Sequence, residues 1–165
     1  MIFYDNIKEI CSKHKKNALF IDMDGTIVEY KVYQPDFITN DTKDVFLNAK
    51  PIEIIIDNLK ELQDIKNLDL YILTLSKSNI IRKEKKLWLE KYAKFIKKEN
   101  IIILVRENGD YNSDNRNFIK AKVMKERLNT YDYVMLLDDE HKILKTTQKE
   151  LQNKGEVFHI SSAII

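Results

Sequence analysis

The stretch Ala18-Leu19-Phe20-Ile21-Asp22-Met23-Asp24-Gly25-Thr26 decides how the chain is read. Four apolar residues run without a break into two acids one residue apart and then a glycine. A short continuous apolar run predicts a strand buried on both faces of a parallel sheet, here one that delivers polar groups at its carboxyl end. Gly25 lets the backbone turn sharply as it leaves that strand, where a side chain would be crowded.

Working outward, Phe3, Ile7 and Ile10 recur at helical spacing and predict a short amphipathic helix. The basic patch Lys13-His14-Lys15-Lys16 after it reads as a solvated helix end. Residues 29–50 carry no sustained period and contain Pro35, Asn40 and Asp41, so they are expected to form a small insertion or flap. Pro51 is expected to open a helix with Ile52, Ile55, Leu59 and Leu62 on one face, at a position where its missing donor costs nothing. Leu70 to Leu73 predicts a second strand. Trp88, Tyr92, Phe95 and Ile96 share one face of a helix expected over residues 79–98.

Ile101 to Val105 is apolar and β-branched, a third strand. Ile119, Val123, Met124 and Leu128 mark a further helix, and Tyr133 to Leu137 a fourth strand entering Asp138 and Asp139. A last helix over residues 140–154 should be stopped by Gly155, with Val157 to Ile160 as the final strand. Strands alternating with helices imply right-handed crossovers and a three-layer, Rossmann-like α/β fold with a mainly parallel sheet of about five strands. At 165 residues, one domain over residues 1–165 is expected.

Composition narrows the function. Lys plus Arg number 28 against 26 for Asp plus Glu, and a net charge of +2 supplies no strong field for nucleic acid or an acidic membrane. The single cysteine, Cys11, excludes an intramolecular disulfide and a multi-cysteine zinc site, which suits a reducing cytoplasm. Charge interrupts the apolar residues of the amino terminus, so it is not read as a secretory signal. No stretch is apolar for the roughly 18 residues that a membrane span requires.

In a parallel sheet the carboxyl ends of the strands lie along one edge, and ligands bind just beyond it. Asp22 and Asp24, then Thr74, then Asp138 and Asp139 would converge there. Four carboxylates in one crevice repel one another and take up protons unless a cation intervenes. Mg2+ fits, since it prefers oxygen ligands and commonly takes one or two protein carboxylates plus a substrate phosphate. A lysine should complete a phosphoryl-transfer site, where cations stabilise the equatorial oxygens. Lys120 is the first candidate and Lys122 the second.

Asp22-Met23-Asp24-Gly25-Thr26 resembles the first motif of the haloacid dehalogenase (HAD) superfamily. Thr74 after a strand, a lysine near 120 and Leu136-Leu137-Asp138-Asp139 follow in the superfamily's order. The resemblance implies a HAD-like fold with a small or absent cap and a Mg2+-dependent phosphatase acting on a small phosphorylated substrate. It maps Asp22 to the nucleophile that becomes an aspartyl phosphate, and Asp24 to the general acid and base whose backbone carbonyl also binds the metal. Thr26 would orient the acid-base residue and the flap. Thr74, with Leu75 and Ser76 beside it, maps to the substrate-binding second motif. Lys120 would neutralise both the phosphoryl oxygen and Asp22. Asp138 and Asp139 map to the metal-binding pair, with Asp139 expected as the direct ligand.

The run from Asp69 to Ser76 together with Glu84-Lys85-Lys86-Leu87-Trp88-Leu89-Glu90-Lys91-Tyr92 is also similar to 5'-nucleotidases of the deoxyribonucleotidase type. A nucleotide is thus one candidate substrate. The alternatives are a macromolecular substrate, such as a nucleic-acid 3'-phosphate end or a phosphoprotein, and a non-catalytic metal or phosphate sensor. Asp24 argues against the sensor and against dehalogenase chemistry, because only a phosphate-ester leaving group needs its proton. His14, His141 and His159 have no zinc-site spacing and read as surface or packing residues. Trp88, Tyr92 and Phe95 read as core, as does Cys11, and Arg106 and Lys77 follow strand ends without a firm role.

Overall fold

The computed structural model describes residues 2–29 and 46–165. Its centre is a five-stranded, wholly parallel sheet in the order β3-β2-β1-β4-β5, with β1 (Asn17–Ile21), β2 (Leu68–Ser76), β3 (Ile101–Val105), β4 (Tyr133–Asp138) and β5 (Gly155–His159). The helices are α1 (Ile2–Ser12), α2 (Glu53–Glu61), α3 (Asn79–Tyr92), α4 (Ile119–Arg127) and α5 (His141–Leu151). Among the described residues, no helix is long and apolar enough to cross a membrane.

The pleat sorts the strand side chains into two cores. Leu19, Ile21, Leu70, Ile72, Met135 and Leu137 pack with Phe3, Ile7, Ile55, Leu59, Trp88 and Leu89 of α1, α2 and α3. The intervening Ala18, Phe20, Tyr71, Leu73, Val134 and Leu136 pack with Met124, Ile143, Leu144 and Leu151 of α4 and α5. Both faces of β1 are therefore covered, which is why its sequence is apolar without alternation. Strand order reverses between β1 and β4, so the crevice of this three-layer fold opens where Asp22 and Asp138 emerge.

Several boundaries depart from the sequence expectations. Pro51 does not open a helix. It bridges Val28 in antiparallel fashion, and α2 starts two residues later, at Glu53. β2 runs past Leu73 through Thr74, Leu75 and Ser76, because β3 pairs with it as far as Val105 opposite Ser76. Thr74 is thus inside the strand.

α3 ends at Tyr92, capped by Ala93, while Phe95 and Ile96 pack on the same core from the turn that follows. Helical spacing continued after the helix had stopped. Trp88 is buried in that core, with its indole nitrogen donating to the carbonyl of Ala49 at 2.9 Å. Cys11 is also buried, and burial pushes its thiol up to about 11.

Gly155 caps the last helical turn, Gln152–Lys154, as expected, but not in the left-handed conformation of a glycine stop. Its backbone is extended and it is the first residue of β5, paired with Val134, whereas the positive φ after α5 belongs to Gln152. A Cβ at Gly155 would collide with the Val134 carbonyl oxygen and the Leu151 side chain. Since the backbone oxygen has little room to retreat, Gly155→Ala is expected to cost about 1–3 kcal/mol of stability, read as a lower urea midpoint at unchanged slope.

The insertion expected over residues 29–50 falls largely outside the described residues, but its base is inside them. Glu29 donates to the Lys50 carbonyl at 2.9 Å and Ile52 donates to the Ile27 carbonyl at 2.8 Å, beside the Val28–Pro51 bridge. The chain departs from the crevice and rejoins it at one hydrogen-bonded neck.

Candidate active site

The loop after β1 is wound around one oxygen. The backbone N–H groups of Thr26, Ile27 and Val28 all donate to the Met23 carbonyl at 3.0 Å, and Gly25 takes φ 75°, the left-handed conformation that this tight turn requires. Asp22 and Asp24 are thereby held on a rigid bend. The Asp22 backbone also donates to the Leu137 carbonyl at 3.0 Å, which ties it to β4 just before the second acidic pair.

Lys120 is the centre of the cluster. From the first turn of α4, its Nζ lies 2.7 Å from Asp22 Oδ1 and 2.6 Å from Asp138 Oδ2. Lys120 is 1% exposed, whereas Lys122 on the same helix is exposed to solvent, so the structure brings the first of the two candidate lysines to the crevice. Thr26 Oγ1 donates to Asp22 Oδ2 at 3.3 Å, and the Glu140 backbone donates to Asp138 Oδ1 at 2.9 Å. One oxygen from each of Asp22, Asp138 and Asp139 lies within 4.8 Å of the others. Thr26 thus contacts the first carboxylate of the motif, not the second.

Asp24 faces a different cation. Its Oδ2 is 2.6 Å from Nζ of Lys85, which also donates to Thr74 Oγ1 at 2.8 Å and to the Leu75 carbonyl at 2.7 Å. The Asp24 carboxylate is therefore turned toward β2 and stands apart from the three-carboxylate group. Ser76 is buried and donates its hydroxyl to the Ser78 carbonyl at 2.8 Å, so that proton is committed locally, while the Ser76 carbonyl accepts from Tyr111 at 3.0 Å.

Lys85 has no assigned role in the sequence expectations beyond its place in the nucleotidase-like run, although a signal exists. Lys85, Trp88 and Leu89 share one buried stripe of α3, and a lysine among apolar residues at i+3 and i+4 is a buried cation that needs anionic or carbonyl partners. Arg116 was also not anticipated. Its guanidinium forks onto Glu140 with two 2.6 Å hydrogen bonds and holds that carboxyl below its usual range, which braces the turn carrying Asp138 and Asp139.

Arg106 and Lys77 are exposed beyond the strand ends. His14 stacks on Tyr133 with centroids 4.2 Å apart, and His141 on His159 with centroids 4.7 Å apart, in keeping with packing and surface roles.

The charges do not balance. Among the described residues, Asp22, Asp24, Asp138 and Asp139 face two ammonium groups, an excess equal to the charge of one divalent cation. Burial pushes the Asp22 carboxyl up to about 7, with Asp138 and Asp24 adding to the effect and Lys120 opposing it. Burial, then the Asp138 charge, pushes Asp139 up to about 6. Burial opposes the charge on Lys120, but the two aspartates outweigh it and keep the ammonium protonated. The donor set is all oxygen, which fits a hard cation such as Mg2+.

Comparison with solved structures matches the fold to a known architecture. The HAD domain of the effector protein Lem4 from Legionella pneumophila aligns with 87% of this chain and 85% of its own length, at TM-score 0.55 and 14% identity. An inactive mutant of the same domain aligns at TM-score 0.57 over 87% of this chain and 84% of that one, again at 14% identity. The chain has the HAD-domain fold. No family model matches the sequence, and no curated protein is similar to it. The HAD-like fold expected from Asp22-Met23-Asp24-Gly25-Thr26 is thus present, with the predicted parallel sheet at its centre.

A cavity of about 450 Å³ lined in part by Lys8, Cys11, Asp64 and Asn67 lies elsewhere, at the amino ends of β1 and β2. It lies at the opposite end of the sheet from Asp22 and Asp138.

Proposed function

We propose that this protein is a Mg2+-dependent phosphatase that cleaves a small phosphomonoester through an aspartyl phosphate on Asp22. The observation that carries the reading is the buried Lys120 shared by Asp22 and Asp138, with Asp139 completing a three-carboxylate group within 4.8 Å. Asp22, Asp138 and Asp139 would hold the ion, together with the Asp24 carbonyl, Asp139 as a direct ligand. When bound, Mg2+ would supply positive charge to the phosphoryl oxygens and offset the carboxylate excess.

In the first step an Asp22 oxygen forms a bond to phosphorus as the ester P–O bond breaks, and Asp24 gives its proton to the departing oxygen. In the second, Asp24 takes a proton from water as the water oxygen bonds to phosphorus and the Asp22–phosphorus bond breaks. Lys120 and the Thr74 hydroxyl would bind phosphoryl oxygens throughout. The likeness of residues 69–92 to nucleotidases puts nucleoside monophosphates first among substrates to test, and the lone buried Cys11 favours a cytoplasmic setting. A panel of phosphorylated metabolites assayed for phosphate release with and without Mg2+ tests the reading: Mg2+-dependent release from at least one ester supports it, and release from none sinks it.

The carboxyl shifts give a second check with a definite sign. Because Asp22 and Asp139 are raised above the ordinary 3.8 in the folded protein, the folded state binds protons more tightly than the unfolded one. Their stabilising contribution is complete below about 3.8 and is lost as pH rises through about 6 and 7. In EDTA the melting temperature should fall over that window. Mg2+ competes with those protons, so it should raise the melting temperature by about 5–10 °C at pH 7.5 when present at ~100 times its Kd, and by much less at pH 5. An equal response at both pH values would exclude these carboxylates as the site.

A further inference from the structure

We infer that Lys85 is a positioning residue that aligns the Asp24 carboxyl and the Thr74 hydroxyl on the same phosphoryl group, a role that rests on the phosphatase reading above. The two lysines that are buried in the crevice among the described residues are used differently. An ammonium has three protons to donate. Lys85 donates to three protein acceptors, Asp24 Oδ2, Thr74 Oγ1 and the Leu75 carbonyl, at 2.6, 2.8 and 2.7 Å. Lys120 donates to two, at 2.7 and 2.6 Å, which leaves it one proton uncommitted among the described residues. A phosphoryl oxygen can therefore be served by Lys120 without breaking a bond, whereas Lys85 is saturated by the protein itself.

What Lys85 does to its partners follows from donor geometry. By occupying Oδ2 of Asp24 it fixes the plane of that carboxyl and leaves Oδ1 to exchange a proton. Asp24 is 46% exposed at its side chain, so without Lys85 it would sample many rotamers in water. By donating to Thr74 Oγ1, Lys85 fills an acceptor position of the hydroxyl, and the hydroxyl's own proton must point elsewhere. The Leu75 carbonyl takes the third proton and locks the ammonium against β2.

The base is rigid as well. Lys85 is 1% exposed, its stripe-mates Trp88 and Leu89 are buried, and its ammonium lies 5.1 Å from the centroid of the Phe46 ring. A buried charge on a packed helix moves little, so the proton donor of the first step is held where the ester oxygen departs.

The experiment compares esters that differ in their need for that proton. kcat/KM, which reports events up to departure of the alcohol, is measured with Mg2+ for 4-nitrophenyl phosphate, whose leaving group departs readily as an anion, and for an alkyl phosphate, whose leaving oxygen must be protonated. Lys85→Met is expected to lower the alkyl value about 100-fold more than the nitrophenyl value, the scale of general acid catalysis. Lys85→Arg, which keeps a charged donor, should recover part of that gap. Equal losses on both esters, or no loss, would overturn the proposal, because a merely structural or phosphate-binding lysine does not distinguish leaving groups. If Lys85→Met does not fold, judged by its melting curve, Lys85→Gln replaces it and the same ratio decides. Should the wild-type protein cleave neither ester, the phosphatase reading falls and this role with it. Wild-type cleavage combined with equal losses removes only the role of Lys85.

Discussion

Asp22→Asn is expected to lower phosphatase turnover by at least about 10⁴-fold, roughly 5 kcal/mol of transition-state stabilisation, while leaving the protein folded. The amide keeps the size of the side chain but is a poor nucleophile toward phosphorus. Folding should survive because Asp138 still pairs with Lys120 at 2.6 Å, the amide oxygen can still accept from Lys120, and its NH2 group can donate to the Thr26 hydroxyl oxygen. In EDTA at pH 8 the variant should melt above the wild type, since the buried carboxyl whose ionisation is resisted up to about 7 has been removed. Single-turnover assays and melting curves on one preparation check both halves. Full activity in Asp22→Asn would exclude Asp22 as nucleophile.

Lys120→Met should be the most destabilising change in the crevice. It removes the cation between two nearly inaccessible carboxylates and leaves them buried without their partner. Breaking a buried pair in this way costs about 3–5 kcal/mol, measured by urea unfolding near neutral pH in EDTA. The direction with pH tests the cause. Burial and the neighbouring Asp138 charge already push the Asp22 carboxyl up, and without the opposing Lys120 it should hold its proton to still higher pH, so the loss should shrink as pH is lowered toward 5. Lys122→Met, on the exposed side of the same helix, should change stability by less than about 0.5 kcal/mol.

How much of this was legible in the sequence depends on the kind of signal. β3 was read at its observed limits, Ile101–Val105, because a β-branched run between polar segments has few other uses. Asp22, Asp138 and Asp139 meet as parallel strand ends predict, and Lys120, expected at the start of the helix before β4, reaches Asp22 and Asp138, whereas Asp24, expected in the same group, faces Lys85 instead. What escaped were features set by tertiary pairing. The length of β2 is fixed by its partner β3, so Thr74 could not be seen to lie within a strand. Pro51 reads as a helix opener, yet Val28 claims it from across the neck. Gly155 reads as a stop signal, although what demands glycine is the approach of β4 and Leu151. Lys85 was hidden by its neighbours, since Lys83, Lys86 and Lys91 lie on the same helix and only the stripe shared with Trp88 distinguishes it.

The neck at Glu29–Lys50 and Ile27–Ile52 also bears on how such a site can change over time. Because both ends of the insertion are stapled to the bend that carries Asp24, the stretch between them can lengthen, shorten or be exchanged without disturbing the register of the sheet. Chain-closure entropy resists such growth weakly, by about 0.6 kcal/mol for each doubling of a flexible loop. The bend that carries Asp24 and the segment joined at this neck are thus separately heritable parts, and the segment can be exchanged while the acids of the bend stay in place.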